Sequence, residues 1–404
     1  MSASELRSMR LNGVLSVPQD GLLLSFCNQA ASPECSLCFM DPASGRIRWL
    51  DVAGWPDAVR ESLAGICGLA IRGDRLVLVT QSEQPSMVLW DLQESRLLST
   101  LALRACRDPH SLVWHQGFVY VVSTGTNQIY RISLENDELR GEELFWTYPG
   151  TSPDRDQVHL NGLTIDGEDR LIASCFGERT AEGRWGAAGR IFFLDRNQTL
   201  HDGLNQPHSP VVAGDTLAFA ESKAGRVYLH ERSAADGWAL RQTVNVGGYP
   251  RGIAFRRDTL FVGISADRKV SRSQKVQLES GHEPNPSALI RLDHRTGEVE
   301  SIPVVSLYGN EIYDIVPLDG PVATDDLETA MRARIVGMES VVNRQMVALR
   351  ELQQEIQGFS AEYQNVLGRY HDVLAERDAL RGQLARSRGI WSRLRNRLPR
   401  LFRR

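Results

Sequence analysis

The stretch CGLAIRGDRLVLVTQ at residues 67–81 carries the pattern that decides the fold: a short apolar run, a Gly-Asp turn and a second β-rich run. The pattern returns as HSLVWHQGFVYVVSTG from His110, NGLTIDGEDRLIASC from Asn161, HSPVVAGDTLAFAES from His208 and RGIAFRRDTLFVGIS from Arg251. Successive starts lie 43, 51, 47 and 43 residues apart. A period of about 40–50 residues suits one four-stranded blade of a β-propeller and is too long for a solenoid of short β-coils.

Each unit supplies further strands. MVLWDL, QIYRISL, RIFFLDR, RVYLHER and ALIRLDH alternate apolar and polar residues and precede turns. The N-terminal stretch from GLLLSFCNQ to RIRWLDV offers three strands of a blade but no firm first strand, whereas EIYDIVPL at residues 311–318 is a first strand with nothing after it. Pairing the two closes a ring of six and leaves no open sheet edge. LNGVLSVP at residues 11–18 competes for the same place. The expected fold class is therefore an all-β six-bladed β-propeller followed by a long α-helical coiled coil. Its domains are a propeller over residues 1–320, a coiled-coil helix over 325–385 and a basic amphipathic tail over 386–404.

The coil follows from a change of composition beyond Pro321 to Glu, Gln, Arg, Leu and Ala, without proline until Pro399. Apolar residues recur at heptad spacing from Met331 to Leu384, broken only by Gln345 and Arg377. Such a seam is unfavourable in water, so self-association is expected. Residues 381–404 hold nine arginines and no acid; taking those nine from the net charge of -4 leaves the first 380 residues at -13. An acidic body argues against a general nucleic-acid binder. In the tail, Trp391, Leu394, Leu398, Leu401 and Phe402 interleave with Arg395 and other arginines, the pattern of a helix lying on an anionic membrane surface, although Pro399 should kink or end it.

The six cysteines at 27, 35, 38, 67, 106 and 175 are too scattered for a disulfide framework and are expected to be reduced thiols. Cys35 and Cys38 resemble half a zinc site with no second pair to complete it. The start MSASELRSMRLNG has no apolar signal core, and no stretch offers about 18 apolar residues to span a bilayer. The expected location is cytoplasmic, peripheral at the inner membrane face through the tail.

Aligning the blades sets Cys67, His110, Asn161, His208, Arg251 and Tyr313 at one height, with Gly65, Asp108, His159, Gln206, Tyr249 and Glu311 two residues earlier on the same strand face. Inner strands line a propeller's channel, so these become two stacked rings at one mouth. The functional reading is a pocket for a small polar or anionic ligand. His110, His159 and His208 would act as donors, ligands or bases, Arg251 would hold an anionic group, and Glu311 or Asp314 would serve as carboxylate partner. The bland reading is inner-strand residues bonding neighbours and trapped water. A divalent metal is a further candidate occupant, although three ligands must converge within about 2.0–2.2 Å of one ion. The loop EGRWGAAG at residues 182–189 could overhang the mouth, and His201, His230, His282 and His371 read as solvated.

HSLVW, DRDQVHLNGL, the Gly-Arg-Trp loop before GRIFFL, LNQPHSP, PRGIAF with FVGIS, and EIYDIVPL together resemble a bacterial family of conserved hypothetical propellers, described only as a domain of unknown function. The resemblance spans about residues 20–318 and implies motif positions at His110, His159, Asn161, His208, Arg251, Glu311 and Asp314. That family usually has a cysteine where this chain has Val158, which argues against a cysteine ligand there. The family's association with polysaccharide and glycosyltransferase systems implies a sugar or nucleotide-sugar context. The chain is also similar in layout to gluconolactonase and strictosidine-synthase propellers, but SVPQDG replaces their Glu-Gly-Pro segment, so the lactonase calcium site does not carry over. Three functions remain open on the sequence: a ligand-binding module, a lyase or hydrolase with a histidine base and Arg251 at the developing anion, and an inert scaffold.

Overall fold

The computed structural model describes residues 21–29, 35–43, 47–50, 52, 54–233, 237–265, 287–303 and 311–318, and in the C-terminal part 353, 356–360, 362–390 and 392–393. The chain divides into two compact units, Met1–Met338 and Glu339–Arg404. In the first unit, six four-stranded antiparallel sheets form the six blades of a β-propeller. Their inner strands are Ile312–Pro317, Ile66–Arg72, Pro109–His115, Leu160–Ile165, Pro207–Ala213 and Tyr249–Arg256, for blades one to six in turn. Each inner strand touches the next, and Ile312–Pro317 touches both Ile66–Arg72 and Tyr249–Arg256, so the ring is closed.

Blade one is built from both ends of the propeller. Ile312–Pro317 pairs with Leu22–Phe26, which is followed outward by Leu37–Met40 and Ile47–Trp49. LNGVLSVP lies outside the described residues. Middle strands such as Leu22–Phe26 and Ser86–Asp91 are buried at every residue because neighbouring blades cover both their faces. This is why MVLWDL, expected to alternate, is instead a nearly continuous apolar run. Apolar side chains gather into six clusters, one between each pair of neighbouring blades. Phe193, Phe219 and Trp238, for example, bind blade four to blade five.

Every inner strand carries a β-bulge at its mouth end. Cys67, His110, Asn161 and Tyr313 are each an extra residue opposite a continuous neighbouring strand. In blades five and six the register shifts over His208–Val211 and Pro250–Ile253. Four of the approaches turn left-handed just before the strand, with φ of 146° at Gly65, 49° at Asp108, 49° at His159 and 59° at Gln206. Bulges and left-handed residues re-aim side chains and recur beside functional sites.

Beyond the bulge of blade four, the next inner strand comes so close that no side chain fits. A Cβ on Gly162 would collide with Ser174 Oγ and lie 2.5 Å from Pro210 Cδ of blade five. Gly162→Ala is therefore expected to lower unfolding free energy by about 1–3 kcal/mol through overpacking. Equal urea midpoints for variant and parent would show that the two blades can separate there without cost.

In the second unit, every described residue between 353 and 393 is α-helical. Ile356, Phe359, Tyr363, Val366, Tyr370, Val373, Leu380 and Leu384 are 56–70% exposed on it. Pairing of this helix into a coiled coil is not visible in one chain. The heptad positions from Met331 to Leu352 and the tail residues Trp391, Leu394, Arg395, Leu398, Leu401 and Phe402 lie outside the described residues. Among the described residues, no helix is long and apolar enough to cross a membrane.

Candidate functional site

The bulges bring His110, His159, His208, Arg251, Glu311 and Tyr313 into one continuous cluster at the mouth. The rings of His110 and His159 meet edge to face with centroids 4.9 Å apart, and His110 meets Tyr313 at 5.7 Å. Phe176 links the histidines, 4.2 Å from His159 and 5.1 Å from His208. Trp185 of the loop after blade four's second strand lies 5.4 Å from His159 and 5.6 Å from Phe176. Its face carries the Arg179 guanidinium at 4.1 Å. The EGRWGAAG loop thus places its tryptophan against the mouth histidine.

Hydrogen bonds settle the tautomer of each imidazole. His159 Nδ1 lies 2.7 Å from Asp156 Oδ2, and the His159 backbone N–H donates to Asp156 Oδ1 at 2.8 Å. Nδ1 therefore carries a proton, and in the neutral ring Nε2 holds the lone pair. His110 Nδ1 lies 3.0 Å from the Asp108 carbonyl, which can only accept, so its Nε2 is also an acceptor. Neither Nε2 has a hydrogen-bond partner among the described residues, and each side chain is about 10% exposed. His208 differs: Nδ1 donates to Ser222 Oγ at 2.6 Å, and Nε2 faces Arg251 Nη2 at 3.3 Å. Because Ser222 Oγ itself donates to the Pro250 carbonyl, His208 braces Arg251 and is not an available base.

Arg251 is likewise engaged. Its Nη1 donates to Glu311 Oε2 at 2.8 Å, its guanidinium stacks 4.5 Å over Tyr313, and Asn28 Nδ2 donates to the other Glu311 oxygen at 2.8 Å. Arg251 and Glu311 are only 5% and 2% exposed, so this is an ion pair within the channel wall. Tyr313 Oη and Arg251 Nε are buried without hydrogen-bond partners among the described residues. Burial pushes the His110 pKa down to about 4, helped by the charges of His159 and Arg251 and opposed by Asp108. Burial and the Arg251 charge also hold His208 well below the usual imidazole range. Burial pushes the Asp156 carboxyl up, but bonds from His159 and the Arg179 charge outweigh it and leave it low.

Two residues expected at the mouth serve between blades instead. Asn161 Nδ2 donates to the Pro207 carbonyl of blade five at 2.9 Å, and Asn161 Oδ1 accepts from Ser174 Oγ at 2.6 Å. Asp314 accepts from the backbone N–H of Leu69 in blade two at 2.8 Å. His230 is also not solvated: it is buried and its Nε2 lies 3.1 Å from His201 Nδ1. His282 lies outside the described residues, and His371 is exposed on the helix. Asp156, Phe176, Ser222 and Asn28 join the cluster without having been singled out in the sequence. Only Asp156 left a signal, three residues before His159.

Among the described residues, no three His, Cys, Asp or Glu side chains are placed to hold a metal ion. His208 cannot serve as a third ligand, since its Nδ1 is committed to Ser222 and its Nε2 faces the Arg251 cation. All six cysteines are free and buried, with Cys27 Sγ 3.7 Å from Cys67 Sγ.

A closed six-bladed propeller with a histidine- and aromatic-lined mouth is the class that these blades define. Its sequence matches the model of DUF4915, a domain of unknown function, over residues 68–324, and the chain belongs to that family. Among curated proteins, none matches it in sequence. Among solved structures, a chain of the nidogen/laminin complex is 11% identical, with a TM-score of 0.50 over 74% of this chain and 98% of that one. The periplasmic gluconolactonase PpgL of Pseudomonas aeruginosa is 12% identical, with a TM-score of 0.48 over 74% and 99%. A Bacteroides caccae protein of unknown function is 13% identical, with a TM-score of 0.48 over 74% and 98%. At these identities the likeness is one of fold.

Proposed function

We propose that this propeller binds a small polar ligand of the carbohydrate class at its mouth, and that the C-terminal helix gathers several copies of the chain. One observation carries the binding reading: Asp156 holds His159 Nδ1 and so fixes the ring beside Trp185 and Phe176, with Nε2 left without a partner among the described residues. A few oriented polar groups set among aromatic faces are the usual furniture of a small-molecule site. Thermal shift of the full chain against a panel of sugars, nucleotides, organic acids and amines tests it. At least one class should raise the melting temperature, and His159→Ala and Trp185→Ala should each weaken binding by about 1–3 kcal/mol. Undiminished binding by both variants would place the ligand elsewhere, and a panel without any shift would remove the reading.

A second reading draws on the same pair. An imidazole braced by a carboxylate is a general base, so His159 could remove a proton from a bound substrate, making the protein a lyase or hydrolase. Turnover of any ligand found in the panel, lost in His159→Ala, would favour it over plain binding.

For the helix, supporting weight comes from the exposed stripe of Ile356, Phe359, Tyr363, Val366, Tyr370 and Val373 at heptad spacing. Light scattering of the full chain should give an integer multiple of the chain mass. Tyr363→Glu with Val366→Glu should reduce it toward a single chain. A single chain for the parent would end the self-association reading.

A further inference from the structure

We infer that the mouth selects an uncharged, hydroxyl-bearing ligand and discriminates against anions of the same shape; this rests on the binding reading above. The reason lies in which hydrogen-bonding roles the fold leaves unfilled. His110 and His159 both commit Nδ1–H inward, to the Asp108 carbonyl and to the Asp156 carboxylate. With both rings neutral, what they present is two Nε2 lone pairs, on rings whose centroids lie 4.9 Å apart. A lone pair needs an O–H or N–H donor opposite it. Adjacent hydroxyl groups of one polyol supply two.

A carboxylate or phosphate group put in place of a hydroxyl supplies none, and it meets little spare positive charge. Arg251 is neutralised by Glu311 at 2.8 Å and has a second face against Tyr313. Arg179 lies 3.6 Å from the Asp156 carboxylate and stacks on Trp185. Asp108, nearly half-exposed, sets a further carboxylate 3.7 Å from His110 Nδ1. Bringing a charged group into such surroundings strips its water without a compensating partner. The same Arg179–Asp156 pairing leaves little spare negative charge beside His159 for an ammonium group. The neutral form of His110 persists across the physiological range, because burial holds its pKa near 4. Trp185 and Phe176 add apolar surface of the kind that the C–H face of a pyranose ring can cover.

An isosteric series tests the assignment. D-glucose, D-glucuronate and D-glucosamine share one ring and differ in charge, and each is titrated calorimetrically into the full chain at about 10 mM, where millimolar binders are populated. D-glucose should bind at least about tenfold more tightly than D-glucuronate, about 1.4 kcal/mol, and no more weakly than D-glucosamine. Asp156→Ala, which removes the acceptor for His159 Nδ1–H, should narrow the glucose–glucuronate gap. Tighter binding of D-glucuronate or D-glucosamine overturns the selectivity while leaving the mouth as a site, provided that His159→Ala abolishes that binding. If none of the three binds, the hydroxylated-ligand assignment falls, and the broader panel decides separately whether the mouth binds anything.

Discussion

Glu311→Ala is expected to lower the unfolding free energy of the propeller by about 3–5 kcal/mol, the usual result of removing one partner of a buried ion pair. The substitution would leave the Arg251 guanidinium 5% exposed and uncompensated, and Asn28 Nδ2 without its acceptor. The loss comes from stranding a charge, not from the net worth of the pair, so a second change should recover much of it. Glu311→Ala combined with Arg251→Met should regain about half or more of the lost stability, because the stranded cation is gone. Urea denaturation at constant m-value measures both. If Glu311→Ala alone stays within about 1 kcal/mol of the parent, the pair is hydrated and the channel wall is not as closed as described.

Asp314 should give the chain a pH dependence of unusual sign. Burial pushes its carboxyl from 3.8 up to about 7, against the lowering effect of the bonds from the Leu69 and Ile315 N–H groups. Between those two values the folded state binds more protons than the unfolded chain, so the stability contributed by Asp314 is greatest near pH 4 and is lost as pH rises to 7. A shift of this size corresponds to at most on the order of 4 kcal/mol. His110 and His208 act in the opposite direction: their depressed values cost stability as pH falls below the ordinary imidazole range. A difference measurement separates the two. Asp314→Asn, which keeps an oxygen for Leu69 N–H, should match the parent near pH 4 and exceed it above pH 7 by about 1–3 kcal/mol. A difference that does not change between pH 5 and 8 would mean that the Asp314 carboxyl titrates normally.

The ring of blades was legible because each repeat announces its inner hairpin with an apolar run, a tight turn and a second run, as in CGLAIRGDRLVLVTQ. The closing partnership of residues 311–318 with the N-terminal strands was equally visible as two incomplete blades. The mouth was legible in membership more than in detail. Reading two rings on one strand face assumed strict alternation, but the bulges at Cys67, His110, Asn161 and Tyr313 interrupt it. Left-handed backbone at Asp108, His159 and Gln206 breaks it again, and these residue types alone do not declare a positive φ. Asn161 and Asp314 turn to the neighbouring blade because its backbone groups lie within reach, a contact that no single repeat encodes. His230 read as solvated because it was placed in a turn, whereas it lies inside the strand Arg226–Ser233. In a propeller both faces of a middle strand are covered, so alternation does not mark the wet side.

The joint in blade one also sets an order of events at birth. The strand that completes Leu22–Phe26 on its inner side begins at Ile312, about 290 residues later, an interval on the order of 15–60 s at typical synthesis speeds. Until then the nascent polypeptide carries the bare edge of an apolar LLLSF segment, an invitation to chaperones and to neighbouring nascent chains on the same message. Closure is therefore a late, long-range step, and blades two to six must stack as an open arc before the circle can shut.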